Sequence, residues 1–313
     1  MATPTPTSLR GLIASAHTPF APSGRLDTAA VVGQLELFRE CQVDGVFLCG
    51  TAGEGHSLTV AERRALLDTW VGATEPEFPI IVHVGHNCVG DAIELARHAS
   101  TAGVRAIAAM ASTYHRPASL EDLIECMAPI AAAAPDVPFL YYDVPELNLV
   151  RFPTDQILEW GRLRIPTLAG VNFSSRDLAT YARCLRLGPE YEVLIGTPDA
   201  LLPALACGGR GAIGASLGFA APVYRRIIDA FDSGDLVSAR QQEAKALELG
   251  RILREFGEVR ASKAIMSLLG VDCGDVRLPL RPLNAPEIRA LHERIRSLGL
   301  FARSLSTPAE IGR

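Results

Sequence analysis

Six short clusters in this chain combine residue types that bind anions or move protons. Gly50-Thr51-Ala52-Gly53-Glu54 is a glycine-flanked turn whose backbone N–H groups and one hydroxyl suit a carboxylate. The same glycines also suit a plain strand-to-helix turn. In Tyr141-Tyr142-Asp143-Val144-Pro145, Tyr142 can carry a proton, or it can sit buried with a single hydrogen bond. Ser112 to Pro117, Gly170-Val171-Asn172-Phe173-Ser174, Gly196-Thr197-Pro198-Asp199 and Gly211 to Ser216 add hydroxyl, amide and carboxylate groups. Amines are scarce. Of 30 basic residues only Lys245 and Lys263 are lysines, so two side chains are available for work that needs a nucleophilic amine.

Other chemistry is poorly supported. His83 and His86 have i, i+3 spacing, but on a strand end they face opposite ways, so no metal site is expected. Gly208-Gly209-Arg210-Gly211 lacks the lysine and hydroxyl of a phosphate-binding loop. Seven cysteines at scattered spacings include no C-x-x-C pair, which argues against zinc and a disulfide framework. Most of them read as small buried apolar residues, and a reducing, cytoplasmic compartment fits best. No cofactor is expected. The 30 basic and 35 acidic residues leave a net charge of −5 with no basic block, which excludes nucleic acid and anionic membrane as natural partners. No apolar stretch is long enough to span a bilayer. Residues 1–8 are Thr/Pro-rich, lack the basic and apolar segments of a signal peptide, and read as a flexible lead-in.

The elements that must position these clusters alternate along the chain. Strand-like apolar runs are expected at Leu12–Thr18, Gly45–Gly50, Ile80–Gly85, Ala106–Ala111, Pro138–Val144, Leu168–Phe173, Glu192–Gly196 and Gly211–Ala215. Their starts lie roughly 20 to 35 residues apart, the length of one βα unit. Helical segments lie between them. Thr59-x-x-Glu62 and Ser119-x-x-Asp122 have the form of capping boxes, and Asp27 and Thr154 are expected to cap the helices that follow them. Four longer helical patterns follow the eighth run, beginning near Pro222, Leu236, Val259 and Ala285. Eight buried parallel strands with helices predict a (β/α)8 TIM barrel with a C-terminal helical extension. A doubly wound sheet is disfavoured because no G-x-G-x-x-G follows the first strand. The barrel core is assigned to residues 9–220. The last barrel helix and the extension take 221–313, as one unit with the barrel. A barrel places its site at the C-terminal ends of the strands, which is where the six clusters fall.

Taken together, these strand ends resemble the N-acetylneuraminate lyase / dihydrodipicolinate synthase family. The resemblance runs from Gly11 to Pro282 and rests on the G-T-x-G-E turn, Tyr114-x-Arg116-Pro117, Tyr142-x-Val144-Pro145 and Ser262-Lys263-Ala264-Ile265-Met266. The stretch Gly53 to Arg64 is most similar to the sialic acid lyase branch. The resemblance implies a class I aldolase barrel acting on pyruvate or a related 2-oxo acid, and a homotetramer. It implies a proton relay of Thr51, Tyr142 and Tyr114, the last reaching in from a neighbouring subunit. It also implies substrate binding by Thr51, Ala52, Ser174, Gly196, Asp199 and Ser216.

The chain departs from the family pattern where the chemistry is centred. The family's Schiff-base lysine lies on the sixth strand, and Asn172 stands at that position. An amide nitrogen is delocalised into its carbonyl and cannot form an iminium. Lys245 and Lys263 are not on strand segments. The synthases carry an arginine just after Y-x-V-P, where this chain has Leu147. Pro198-Asp199 retains one carboxylate of an Asp-Glu pair, Ala215 replaces a serine, and Ala52 replaces the second hydroxyl of the turn. Three readings follow: a lyase-like enzyme that works without an iminium, with Asn172 donating a hydrogen bond to a substrate oxygen; a non-catalytic 2-oxo-acid binder or assembly partner; and an inherited scaffold.

Overall fold

Eight runs of β-branched and small apolar residues close into a parallel barrel in the computed structural model, which describes residues 9–308. The strands are β1 (Gly11–Ser15), β2 (Gly45–Leu48), β3 (Ile80–His83), β4 (Ala106–Ala109), β5 (Phe139–Asp143), β6 (Leu168–Phe173), β7 (Glu192–Ile195) and β8 (Gly211–Gly214). Each pairs with the next, and β8 closes on β1. The connecting helices are α1 (Ala30–Glu40), α2 (Val60–Ala73), α3 (Val89–Ala102), α4 (Leu120–Ala132), α5 (Pro145–Asn148), α6 (Thr154–Gly161), α7 (Leu178–Leu185), α8 (Leu201–Ala206) and α9 (Leu217–Asp232). The extension is α10 (Leu236–Phe256), α11 (Glu258–Leu268) and α12 (Ala285–Arg296). The barrel with its helical extension is therefore the fold that the pattern predicts.

Alternation sorts the strand side chains into two cores. Ile13, Phe47, Ile81, Leu140, Leu194 and Ile213 point inward and fill the barrel. Leu12, Val46, Leu48, Tyr141 and Phe173 point outward against the helices. The outer layer includes Trp70 of α2, fully buried and stacked on Phe38 of α1 at 5.9 Å. Seven strands stop one to three residues short of their predicted C-terminal ends, and of the residues that leave the ladder there, Val144, Gly196 and Ala215 line the cavity above.

The capping boxes of Thr59 with Glu62 and of Ser119 with Asp122 both form. Two expected caps do not. Ala29 is the N-cap of α1, and Asp27 instead accepts the Ala29 N–H two residues on, as in an Asx turn. Thr154 is the first residue of α6, and its hydroxyl donates to buried Asp143 at 2.7 Å. The carboxylate across the strand end competes for that hydroxyl. Gly208-Gly209-Arg210-Gly211 enters β8 at the barrel's N-terminal end, where the Gly11 N–H donates to the Arg210 carbonyl at 3.0 Å. The boundary expected at residue 220 falls inside α9, at the non-helical Ala220 just before Pro222. The lead-in expected at residues 1–8 lies outside the described residues. Among the described residues no helix is long and apolar enough to cross a membrane.

Candidate active site

Beyond the C-terminal ends of the strands lies a cavity of about 250 Å³, covered from the side by α10 and α11. A hollow of about 490 Å³ lies at the opposite end of the barrel, between Pro79, Arg105 and Pro138, and none of the six clusters lines it.

The floor of the cavity is set by strand register. Tyr142 of β5 stands opposite Asn172 of β6, which stands opposite Leu194 of β7. A bulge makes this possible. Phe139 pairs with Leu168 and Leu140 pairs with Gly170, so Ala169 is an extra residue. The inserted residue switches the alternation. Ala169 faces inward, Val171 and Phe173 face outward, and Asn172 faces inward again. Gly170 is required at the bulge: its φ is +154° and a Cβ there would lie 1.9 Å from the Glu192 carbonyl oxygen.

The Tyr142 ring is held edge-on between Phe47, at 5.3 Å, and His83, at 5.4 Å. Its hydroxyl meets Thr51 Oγ1 at 2.9 Å. Burial pushes the phenol above its usual range, and the hydrogen bonds from Thr51 pull it back only in part. Tyr142 is therefore a protonated donor at neutral pH. Asn172 is 2% exposed, and its Oδ1 is buried without a hydrogen-bond partner. A buried amide oxygen left open on a cavity floor is a position for a donor on a bound molecule. Gly196 leaves the space beside it, since a Cβ there would lie 2.5 Å from Asn172 Oδ1 and 2.0 Å from Ser174 Oγ.

Burial also neutralises the histidines behind the floor. It drives His17 down to about 3, assisted by the charge of Lys263. His56 is exposed as a residue, but its ring lies against His83, and loss of water there, then Arg63 and His86, lower it to about 4. His83 falls well below its ordinary value for the same first reason. The His83 ring is buried and bonded to the Cys49 carbonyl, and the His86 ring is half-buried and accepts the Cys88 N–H.

The rim of the cavity is charged. Asp199, after β7, is 6% exposed. Arg176 Nη2 donates to both of its oxygens, at 2.9 and 3.2 Å, and Arg254 Nη1 of α10 donates at 2.8 Å. Glu146, Leu147 and Glu258 line the cavity nearby.

Thr51, Ala52, Tyr142, Asn172, Ser174, Gly196, Asp199 and Ser216 all line this one cavity. The Ser216 hydroxyl is already paired with Tyr224 at 2.8 Å. Tyr114 lies outside it, 80% exposed on the loop after β4, with its ring edge-on to His115. Neither lysine lines the cavity. Lys263, on α11, is buried and donates to Glu54 at 2.8 Å and to the Asp275 carbonyl at 2.9 Å, over the ring of Phe20. Lys245 is half-buried on α10. Sequence reasoning missed Arg176, Arg254 and Glu258. Arg176 was within reach as the second residue after Ser174. Arg254 was not, being 55 residues from Asp199 on a helix outside the barrel.

The dihydrodipicolinate synthetase family model matches residues 8–298. N-acetylneuraminate lyase of Gallus gallus is 34% identical over 278 residues, covering 87% of this chain and 90% of that protein. The structure of N-acetylneuraminate lyase (sialic acid aldolase) from Aliivibrio salmonicida is 38% identical, with a TM-score of 0.90, covering 94% of this chain and 98% of that one. A prophage protein of the dihydrodipicolinic acid synthase family from E. coli K12, solved in complex with pyruvate, is 25% identical with a TM-score of 0.86, covering 93% and 99%.

Proposed function

The chain belongs to the dihydrodipicolinate synthetase family, and from that premise we propose that it binds a pyruvate-related 2-oxo acid and works on it as a carbon–carbon or carbon–oxygen lyase without a covalent iminium. The observation that carries this reading is the pairing of Asn172 with Tyr142 on the cavity floor, where Tyr142 meets Thr51 at 2.9 Å. The backbone at Thr51 and Ala52 holds the substrate carboxylate. The Asn172 Nδ2 donates to the carbonyl oxygen, and to the enolate oxygen that develops from it, while its open Oδ1 accepts from a donor elsewhere on the bound molecule. Tyr142, kept protonated by burial, gives a proton and regains it through Thr51. Ser174, Gly196, Asp199 and Ser216 shape the rest of the pocket. Tyr114 is exposed in the single chain, which fits a surface covered by a second subunit of a homotetramer. The acidic net charge and the unbridged cysteines support a cytoplasmic setting.

The test is incubation with pyruvate and other 2-oxo acids, with and without borohydride, read by intact mass. No adduct is expected, and a trapped one overturns the non-covalent reading. A thermal-shift screen of the same acids should show stabilisation that disappears in Tyr142→Phe. A second reading is a non-catalytic binder or assembly partner, favoured by the position of both lysines away from the cavity. Stabilisation by a 2-oxo acid with no turnover supports it.

A further inference from the structure

The charged rim is built differently from the floor. Asp199 is the acceptor a hydroxylated ligand would need there, yet the chain's own guanidinium groups occupy it. Three hydrogen bonds reach its two oxygens, two from Arg176 and one from Arg254. A carboxylate has about four lone-pair sites, so little accepting capacity remains. The donors are in surplus. Each guanidinium carries about five N–H groups. Arg176 engages Asp199 through Nη2, and Arg254 engages it through Nη1. Both side chains are 49% exposed and both line the cavity. One buried carboxylate thus fixes two half-exposed cations in place.

From this geometry we infer that Arg176 and Arg254 form a subsite for a second anionic group on the substrate, with Asp199 as the residue that positions them. The inference rests on the 2-oxo acid reading, because it adds a second anion to the carboxylate held at Thr51 and Ala52. The substrate class it names is a 2-oxo acid with a carboxylate at its far end, rather than a neutral polyhydroxylated one. Paired guanidinium forks match a carboxylate in shape as well as charge. Glu146 and Glu258 also line the cavity and oppose an anion. Glu258 is exposed as a residue, but its carboxyl is crowded at the mouth. Loss of water there, then Asp199 and Glu146, raise it, while Arg254 and Arg176 pull it down. The rise weakens its opposition.

The test is calorimetric titration of the full chain with pyruvate, 2-oxoglutarate and glutarate at low salt. The expected result is 2-oxoglutarate binding about tenfold tighter than pyruvate, an advantage that shrinks as NaCl is raised. Arg176→Gln and Arg254→Gln should each collapse the ratio of the two affinities toward one. Equal affinities in the unaltered chain overturn the subsite and leave the 2-oxo acid reading standing. A salt-independent advantage also overturns it, and that arm needs no variant to fold. Glutarate binding that Arg254→Gln abolishes, with no response to pyruvate, keeps the subsite and removes the 2-oxo acid reading. Silence from all three acids overturns both.

Discussion

The floor and the rim of this cavity are built by opposite means. The floor stands on strands and carries no net charge. Burial keeps Tyr142 protonated and holds His17 and His83 neutral behind it. The rim stands on loops and on α10 and is crowded with ions, two guanidinium groups closing on Asp199. The floor is therefore rigid and electrically quiet, suited to steering one proton. The rim is exposed and salt-sensitive, suited to choosing which molecule enters. Position in the barrel accounts for the difference. Strand-borne groups are desolvated by the packed core, and groups on the covering helices keep contact with water.

The largest test adds the missing amine to the floor. Asn172→Lys should give an adduct with pyruvate that borohydride traps, where the unaltered chain gives none. The surroundings favour it. A lysine amine beside Tyr142, with no carboxylate on the floor, is held in its neutral, nucleophilic form by burial. A folded Asn172→Lys protein that traps nothing would mean that the floor differs from a covalent site in more than one residue.

The next effect concerns how the floor is held. Glu54 ends the turn that carries Thr51, and it accepts from Lys263 of α11 and from the Arg277 N–H at 2.7 Å. Both charged side chains are almost fully buried, at 1% and 2% exposure. Glu54→Gln leaves the ammonium unpaired and should cost about 3–5 kcal/mol in urea unfolding. Glu54→Gln combined with Lys263→Met should cost less than Glu54→Gln alone, because the stranded charge is gone. A double variant as unstable as the sum of its parts would show that packing, not charge, is what the pair supplies.

Much of the floor was legible in the chain and little of the rim was. The eight strands read clearly because parallel strands buried on both faces are nearly continuous apolar runs. Several residues at or just after the ends of those runs line the cavity, so the clusters that hold Thr51, Tyr142, Asn172 and Gly196 could be named from their place, and the family resemblance singled out the residues within them. The Ala169 bulge was not legible. Its signal is a backbone register, and it decides whether Asn172 faces in or out. Thr154 read as a cap because local rules see only local partners, and its partner Asp143 lies 11 residues away. The same limit hid Arg254, whose contact with Asp199 exists only after α10 folds back across the barrel.

A third prediction concerns the layer behind the floor, where Asp143 lies on the outer face of β5 and is 4% exposed. Burial raises its carboxyl from 3.8 to about 6, and the Thr154 hydroxyl lowers it only in part. Between those values the folded carboxyl keeps a proton that the unfolded one has lost. Its stabilising contribution is full below 3.8 and is lost as pH rises through about 6. Asp143→Asn removes the titration while leaving an oxygen for Thr154. Its stability relative to the unaltered chain should therefore improve by about 1–3 kcal/mol from pH 4 to pH 8. Comparing the two proteins at each pH cancels the opposite slope from His17, whose depressed value adds stability as pH rises. A difference that stays flat across this range would remove Asp143 from the account.

The smallest effect separates the rim from the floor without replacing a charged group. Gly250 lies in α10 under the rim, and a Cβ there would lie 2.7 Å from Asp199 Oδ2 and 3.2 Å from Arg254 Nη1. Alanine in a helix interior is favoured over glycine by about 1 kcal/mol. Crowding of the Asp199–Arg254 contact opposes that gain, so Gly250→Ala should change unfolding stability by less than about 1 kcal/mol. Binding should register what stability does not. The added methyl displaces one guanidinium from its carboxylate anchor, and the ratio of 2-oxoglutarate to pyruvate affinity should shift severalfold. Tyr142 and Asn172 stand on strands across the cavity, so the response to pyruvate alone should hold. If both acids weaken equally, the floor and the rim are mechanically one unit, and their contrast in charge does not correspond to a division of labour.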